Sequence, residues 1–569
     1  MSTPHSALAE TKSLAVRFLT HIRTKLQDII PRMGLSIYWI GLLVLTPTVA
    51  CAAGHKVILR CFRRRRGLDE ETCCERGGEA REFRMTFFRV YLLVMGSEWL
   101  QGPYIYTLLR DEKDLPEPTV ALLYTTSYAS AAATAFATGW LADRFGRRAA
   151  CLAFCCVHAL ASASVLVDAL AILFAGRAAA GVGIALLWSA FESWMVAEYN
   201  ARGLGPEAGG GGGSGFRLSA MFGVMTTANC ITAIMAGFLA YCVVLTLGSN
   251  TGPFLVGIAL DVFAVMLMLD TWNENRGSGG ENGRAAVETS REPRDPSLPQ
   301  KVRGPVTAKG SLRDVRVWTL SFVSCCFEGT VFVLMFFWPG TLQEAHAREH
   351  PDEDADAAVA AVPYGITFAC FMATMVLGAL LFHALARHHG NAEVYSCPQT
   401  ASDGGDNIDS NSSQINSEHS WKRDVAAVLT PTRLLAVALF LAGASFLVAA
   451  FARAELHLFV AFLVFEACNG VYVPSMASHR SAIVSDDGRA SVYGIMNVPL
   501  FAFVIVALCT TNGRGGEHRQ TVFLLCATLL LVAAVASVVG LSDLGRPRVF
   551  SQLQDQDCEY VDCKGQEAE

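Results

Sequence analysis

The stretch GWLADRFGRR, residues 139–148, predicts a tight reversal between two helices. Gly139 permits close helix packing, and Gly146 provides a backbone that can adopt turn conformations. Asp143 can interact with the N-terminus of a neighbouring helix, where the helix dipole favours an anion. The stretch also carries three basic side chains: Arg144, Arg147 and Arg148. A short basic turn of this kind between apolar segments is typical of a chain that crosses a membrane repeatedly.

The composition extends this interpretation to the whole chain. Of the 569 residues, 52% are hydrophobic and only 17% are charged, and the mean hydropathy is +0.36. Such a composition is too apolar for a soluble globular protein. Apolar runs of about 20 residues recur, and each is long enough to cross a hydrocarbon core of about 30 Å. We therefore expect an all-α polytopic membrane protein embedded in a lipid bilayer.

Thirteen apolar spans can be counted along the chain. An N-terminal tail, 1–34, precedes an accessory transmembrane helix at 35–59. Two sets of six spans follow, at 84–271 and 315–542, and a polar linker at 272–314 separates them. Two sets of equal size are the pattern expected of a transporter built from two related halves.

The distribution of Lys and Arg orients the chain. RCFRRRRG at 60–67 follows the accessory helix directly, and the basic turn at 139–148 falls on the same side, which is therefore predicted to be cytoplasmic. The N-terminus then lies outside, and the C-terminal tail, 543–569, lies inside. The linker and a polar loop at 388–425 become flexible cytoplasmic connectors.

Carboxylates recur inside the apolar spans. Glu98, Glu192, Glu328 and Glu466 lie on the first, fourth, seventh and tenth of the twelve core spans. A charged side chain facing lipid near the bilayer centre costs about 2.5 kcal/mol or more, so each should face the protein interior. One interpretation is a shared polar cavity. The alternative is that each group is a protonated acid hydrogen-bonded to a neighbouring helix.

Two polar neighbours at helical spacing favour the cavity. Gln101 lies three residues after Glu98, and Asn469 lies three residues after Glu466, so each shares a helix face with its carboxylate. Arg177 lies well inside the fourth core span, where it must find a partner, a cavity or a lipid surface.

Two other ionisable residues are expected to have ordinary roles. His158 is a single imidazole within a span, for which we expect hydrogen-bonded packing. Arg480 ends the tenth core span and is expected to mark the membrane interface, where long basic side chains reach the headgroups.

The basic turn resembles the signature between helices 2 and 3 of the major facilitator superfamily, and GRAAAGVGIA at 176–185 is similar to the helix 4 motif of that superfamily. The resemblance implies a 6+6 helix fold, here with one additional N-terminal transmembrane helix. In that fold helices 1, 4, 7 and 10 line the central cavity, which is where the four glutamates fall. The corresponding loop of the second half, LLFHALARHHG, departs from the signature because it lacks the Asp.

Four longer blocks resemble the molybdate-anion transporter family: EWLQGPYIYTLL at 98–109, GRAAAGVGIALLWSAFESWMVAEY at 176–199, FEGTVFVLMFFWP at 327–339 and FLVFEACNGVYVPSMASHR at 462–480. That family also has an extra N-terminal helix. The resemblance implies uptake of molybdate, a tetrahedral dianion, at the plasma membrane. Carboxylates around a cavity would repel an oxyanion unless some are protonated or paired, and burial favours protonation. We therefore expect proton-coupled alternating access, with Arg177 supplying positive charge.

Two alternatives stay open. One is a proton-linked carrier of a sugar, drug or other organic solute, and the other is a non-transporting, transporter-like sensor whose cytoplasmic loops relay ligand occupancy. An enzyme is not expected, because the sequence has no nucleotide-binding glycine loop followed by Lys and no nucleophile constellation. We expect no metal, no cofactor and no nucleic-acid partner, and we expect a monomer.

Overall fold

The computed structural model describes residues 36–65, 74–204, 218–274, 314–352, 361–394, 430–483, 489–510 and 515–541. Four segments predicted from the sequence lie wholly or mostly outside the described residues: 1–34, 272–314, 388–425 and 543–569.

Within the described residues the chain forms thirteen long helices. They are α1 (Ile37–Arg65), α2 (Cys74–Gln101), α3 (Glu117–Phe145), α4 (Arg147–Ser164), α5 (Leu170–Ala201), α6 (Leu218–Leu247), α7 (Gly252–Thr271), α8 (Val315–Glu349), α9 (Tyr364–Val394), α10 (Pro431–Phe451), α11 (Glu455–Ile483), α12 (Arg489–Cys509) and α13 (Gly515–Leu541). Between α2 and α3 lie a short helical turn, Ile105–Thr107, and a π-helical turn, Leu108–Glu112. Eight of the helices, α5 to α11 and α13, contain segments long and apolar enough to cross a membrane.

Helices α2 to α7 and α8 to α13 pack in the same pattern. In the first half α2 contacts α6 and α7, α3 contacts α5, and α4 contacts α5 and α7. In the second half α8 contacts α12 and α13, α9 contacts α11, and α10 contacts α11 and α13. Each pair of the second half is the pair of the first half displaced by six helices. The predicted 6+6 fold with one additional N-terminal helix is confirmed.

The two halves meet along two seams, α6 with α9 and α3 with α12. At the first seam Gly237 and Gly365 face each other, and a Cβ atom added at Gly237 would lie 2.7 Å from the carbonyl oxygen of Gly365. Glycine therefore allows the two backbones to approach more closely than any side chain would permit.

Helix α1 covers this α6–α9 seam. It packs against α9, and its Tyr38 hydroxyl donates a hydrogen bond to Glu455 Oε1 of α11 at 2.5 Å. On the other side of the seam the Trp39 ring meets the Tyr241 ring of α6 edge to face, with 5.6 Å between centroids. The additional helix is thus fixed to both halves.

Three connections lie on one side of the bundle, which we call the Glu117 face: 102–116, 165–169 and 248–251. Polar contacts join them, since Lys113 Nζ lies 2.5 Å from Asp168 Oδ1 and Glu112 Oε2 accepts a hydrogen bond from the Asn250 backbone N at 2.8 Å. The opposite side carries the basic turn, and we call it the Gly146 face.

An ion-pair network joins the two halves at the Glu117 face. Arg519, near the start of α13, is buried and lies 3.0 Å from Glu344 Oε2 of α8 and 3.5 Å from Glu117 Oε1 of α3. Arg110, in the connection between α2 and α3, lies 3.4 Å from Glu117 Oε2. Two cations and two carboxylates from both halves are therefore held together there.

The apolar core has two parts. The larger cluster spans both halves, and it includes Tyr104 and Tyr124 of the first half, close to the Glu117 face, with Phe336 and Phe371 of the second. The smaller cluster is confined to the first half, between residues 83 and 272, and lies toward the Gly146 face. The halves thus pack together at the Glu117 face, and the described conformation is closed on that side.

Candidate functional site

A layer of aromatic rings joins the two halves at the centre of the bundle. On α3 the Tyr124 ring lies 5.1 Å from the Phe336 ring of α8, and the Tyr128 ring lies 4.9 Å from the Phe332 ring, measured between centroids. The two residues of each helix are four apart and therefore share one helix face. This aromatic layer separates the polar groups described next from the Glu117 face.

In the second half an ion pair lies one helical turn from the aromatic layer. Arg480 Nη2 of α11 donates a hydrogen bond to Glu328 Oε1 of α8 at 2.8 Å, and the Tyr472 hydroxyl donates to the same oxygen at 2.9 Å. Ser324 Oγ also donates to this oxygen at 2.8 Å. Glu328 precedes Phe332 by four residues on α8, so both share a face. The expectation that Arg480 marks the membrane interface is wrong, because the Arg480 side chain extends to a mid-helix carboxylate.

Glu466 and Asn469 of α11 form a separate polar pair. The Glu466 side chain is fully buried, at 0% exposure, and Asn469 Nδ2 donates a hydrogen bond to its Oε2 at 3.0 Å. Glu466 Oε1 has no hydrogen-bond partner among the described residues. The predicted shared face of these two residues is confirmed, but the carboxyl group has no cation beside it in the described part of the chain.

In the first half Glu98 belongs to a cluster built on His158. Glu98 Oε2 lies 3.1 Å from His158 Nε2, and Asp261 Oδ2 of α7 lies 2.7 Å from His158 Nδ1. Gln101 Nε2 lies 3.3 Å from the same Nε2 atom and donates a hydrogen bond to Ser162 Oγ at 2.8 Å. His158 is buried and hydrogen-bonded, as expected, and α2 and α7 each place a carboxylate against one of its ring nitrogens.

Arg177 of α5 lies beside both the cluster and the aromatic layer. Its guanidinium carbon is 5.6 Å from the centroid of the Tyr124 ring, a favourable position for a cation. Its Nε has no hydrogen-bond partner among the described residues, and its charge acts electrostatically on Glu98. In the described structure the Arg177 guanidinium therefore lies against the Tyr124 ring and near the Glu98 carboxylate, without forming a close ion pair.

The two halves place opposite charges at equivalent positions. Gly181 marks the close crossing of α5 with α3, where an added Cβ would meet the Ser127 carbonyl oxygen, and Gly470 marks the matching crossing of α11 with α9. Arg177 lies four residues before Gly181, and Glu466 lies four residues before Gly470. The repeat therefore preserves the helix crossing while it exchanges a cation for a carboxyl group.

Glu192 is a predicted site residue that does not contact the other predicted site residues in the structure. Its side chain on α5 is exposed, and it makes no hydrogen bond or ion pair with another described residue. Its charge acts electrostatically on Tyr91 of α2, on the Gly146 side of Glu98. The structure therefore brings Glu98, Gln101 and Arg177 close to one another but does not draw Glu192 into their contacts.

The basic turn is tied to the end of α7. Gly146 has a φ of 111°, in the region that favours glycine, and it directly precedes α4. Glu274 Oε1 accepts a hydrogen bond from the Arg148 backbone N at 3.1 Å, and Arg148 Nη2 donates to the Leu269 carbonyl oxygen at 3.1 Å. A carboxylate at the N-terminus of α4 also complements the helix dipole. Glu274 is thus a functional candidate that the motif alone did not reveal.

The other motif residues lie on α3 or at the start of α4. Gly139 and Asp143 fall on the last turns of α3, and the Asp143 side chain lies outside the described part of the structure. Arg144 is exposed, with its guanidinium carbon 5.9 Å from the centroid of the Phe145 ring, and Arg147 is half-buried. The interaction of Asp143 with a helix N-terminus stays a prediction.

Two similar six-helix halves with ionisable residues at their centre define a membrane transporter of the major facilitator type. Residues 66–397 match the family described as sugar transporters with 12 transmembrane segments, and the chain belongs to this family.

Curated relatives and a solved structure extend the comparison. The chain is 28% identical to a molybdate-anion transporter of Takifugu rubripes over 499 residues, which cover 82% of this chain and 88% of the relative. It is 26% identical to a molybdate-anion transporter of Danio rerio over 515 residues, covering 87% and 94%. The crystal structure of the nucleoside transporter NupG superposes with a TM-score of 0.52 at 13% identity, covering 81% of this chain and 99% of NupG. The resemblances predicted from the motifs are confirmed, and the likeness to NupG concerns the fold.

Proposed function

We propose that the protein is a secondary active transporter that moves molybdate across a membrane by proton-coupled alternating access. The observation that carries the proposal is a pair of guanidinium groups, one from each half: the first contacts the aromatic layer, and the second is bound to a carboxylate one helical turn from that layer. Arg177 lies against Tyr124 of that layer, and Arg480 pairs with Glu328 one turn from Phe332. Guanidinium groups suit oxyanions because their N–H donors point in parallel toward two oxygens. Two such groups match the two charges of molybdate.

The carboxylates explain how protons enter the scheme. Glu328 accepts hydrogen bonds from Arg480, Tyr472 and Ser324, all at its Oε1 atom. In this state Glu328 occupies the donors that an oxyanion would need. Protonation of Glu328 removes the competing charge, so oxyanion binding and proton uptake favour each other. Glu328 is 28% exposed and Arg480 is 24% exposed, so neither side chain is sealed inside the packed core.

Orientation and location complete the proposal. The basic stretches at 60–67 and 139–148 support a cytoplasmic Gly146 face, with the N-terminus outside and the C-terminus inside. In that orientation the described conformation is closed toward the outside. The molybdate-anion transporter relatives support molybdate as the substrate, and uptake at the plasma membrane is part of the proposal.

Uptake of isotopic molybdate by proteoliposomes tests the proposal. We expect saturable uptake that an inward proton gradient stimulates, that tungstate inhibits, and that Arg480→Gln reduces at least tenfold, about the effect of losing one charged hydrogen-bond partner. Arg453→Gln is the matched control, because Arg453 is exposed on the Glu117 face, away from the central groups. Uptake equal to that of empty liposomes would reject molybdate as substrate. If the rate of molybdate uptake is changed neither by the proton gradient nor by the Glu328→Gln substitution, the coupling scheme is rejected.

A carrier of a sugar or other organic solute is the second candidate, and the description of the matching family favours it. The same proteoliposomes distinguish a molybdate transporter from an organic-solute carrier, because an uncharged solute inhibits molybdate uptake only if both bind at one site. An organic solute that the Arg480→Gln variant transports at the wild-type rate, and that inhibits molybdate uptake poorly, would support the organic-solute carrier. Binding of a solute without flux would instead support the transporter-like sensor.

A further inference from the structure

One buried imidazole lies between two carboxylates that come from different helices. His158 Nδ1 lies 2.7 Å from Asp261 Oδ2, and His158 Nε2 lies 3.1 Å from Glu98 Oε2. Asp261 and His158 are buried, whereas the Glu98 side chain is 30% exposed. The three groups therefore run from the interior of the first half to an accessible end at Glu98. We call this set the His158 triad.

The two contacts of the triad require a minimum number of protons. A carboxylate oxygen only accepts hydrogen bonds, and a neutral imidazole carries one N–H, which can serve one contact. The second contact is also at hydrogen-bond distance, so it needs a second proton, either on the imidazole or on one carboxyl group. Without that proton, two lone pairs would face each other and one contact would open. The observed geometry is therefore that of the proton-loaded triad.

Every helix packed against α4 contributes to the surroundings of the triad. Helix α7 supplies Asp261, and Ser97 Oγ of α2 lies 3.2 Å from His158 Nδ1. The other ionisable groups that act on the two carboxylates are Arg177 of α5, Tyr128 of α3 and Cys155 of α4 itself. Arg177 is the cation of this set, and it acts on Glu98, the accessible end of the triad.

We propose that the His158 triad holds a second coupling proton, in addition to the one at Glu328, and that its protonation leaves Arg177 available to bind the oxyanion. In the loaded state Glu98 is held by His158, so the Arg177 guanidinium keeps free donor capacity. When the proton leaves through Glu98, the partly exposed end of the triad, this carboxylate is released from His158 and pairs with Arg177. That pairing removes the cation from the substrate. The inference rests on the proposed function and adds a set of proton-carrying residues in the first half to Glu328 of the second half.

Proteoliposomes containing the full-length protein can separate proton movement from molybdate movement. Counterflow exchanges labelled for unlabelled molybdate without net proton transfer, and a trapped pH dye reports protons that accompany net molybdate flux. For the wild type we expect the apparent molybdate affinity to fall about tenfold as the pH is raised and the triad loses its proton, within the usual range of coupling between two sites. His158→Gln should retain counterflow within about threefold, lose about half of the molybdate-driven proton movement and show a weaker pH dependence than the wild type.

A second variant and a matched control keep the test independent of folding. Asp261→Asn removes the buried carboxylate and should give the same loss of coupling as His158→Gln. His479→Gln is the control, because His479 of α11 is also buried, yet its partners are the Thr432 hydroxyl and the Ser475 carbonyl oxygen. This control should keep both counterflow and proton movement.

The outcomes distinguish failure of the function from failure of the inference. A wild-type protein that moves no molybdate would overturn both. A wild-type protein that couples molybdate to protons, with coupling unchanged in His158→Gln and Asp261→Asn, would overturn the triad and leave the transporter intact. Loss of counterflow in both variants at unchanged thermal stability would assign the triad to substrate binding and would also overturn its coupling role.

Discussion

Arg480 of α11 and Glu328 of α8 form an ion pair at 2.8 Å, and these two residues lie 152 positions apart in the chain. Breaking a partly buried pair from one side leaves a charge without its partner, which costs more than the pair itself contributes. We therefore expect Glu328→Gln to lower the thermal unfolding midpoint of the purified protein by several degrees. The double variant Glu328→Gln with Arg480→Met should recover most of that loss. Equal loss in both would contradict the pairing.

Glu466 should respond to the same substitution in the opposite direction. Its side chain is fully buried, and Oε1 has no partner among the described residues. A neutral amide removes the cost of charging this buried group while Asn469 can still donate to the remaining carbonyl oxygen. We expect Glu466→Gln to leave the unfolding midpoint unchanged or to raise it, with the larger gain at higher pH. A marked drop would reveal a partner that the present contacts omit.

The glycine pair at the α6–α9 seam gives a prediction about assembly of the halves. An added Cβ at Gly237 would lie 2.7 Å from the Gly365 carbonyl oxygen, whereas a Cβ at Gly223 on the same helix would meet nothing within 4 Å. Gly237→Ala should therefore destabilise the protein, and Gly223→Ala should stabilise it by up to about 1 kcal/mol, the helix preference of Ala over Gly. Thermal unfolding of both variants in one detergent checks the difference in sign.

The ion-pair network at the Glu117 face predicts how the conformational balance can be shifted. Arg519 holds Glu344 and Glu117 of different halves, so Arg519→Met should weaken the closed state of that face. Leu109 is fully buried there, at 0% exposure, and a cysteine placed at this position reports opening by its reaction with a membrane-impermeant maleimide. We expect faster labelling in Arg519→Met.

Arg316→Met is the matched control for this labelling. Arg316 pairs with Asp314 near the start of α8, at the opposite end of that helix from Glu344. Its removal should leave the labelling rate of the cysteine unchanged. Similar acceleration in both variants would mean that general loosening, and not the network at the Glu117 face, controls access.

The helices and the repeat were predictable from the sequence because apolar length and charge spacing act locally. Glu466 and Asn469 share a face for the same reason, since three residues on a helix make nearly one turn. The partners supplied by other helices were not predictable in this way. His158 contacts Asp261, which lies 103 residues further along the chain. This contact depends on which face of α4 packs against which face of α7. The available signals were an imidazole and an additional carboxylate in two apolar spans.

Glu192 shows the opposite limit. It follows a Phe in an apolar span, as Glu328 and Glu466 do, so its local pattern is the same. The structure nevertheless leaves it exposed and apart from the two clusters, because its height along α5 places it away from the crossing at Gly181. Local pattern therefore identifies which helices carry carboxylates, but not which carboxylates meet.

The two seams between the halves are unlike in their access to the surrounding membrane. Helix α1 covers the α6–α9 seam, with Trp39 packed against α6 and Tyr38 hydrogen-bonded to α11. No described helix covers the α3–α12 seam. Among the described helices, the α3–α12 seam is therefore the junction of the halves that is left facing the surrounding lipid. The protein is sided within the plane of the bilayer as well as across it.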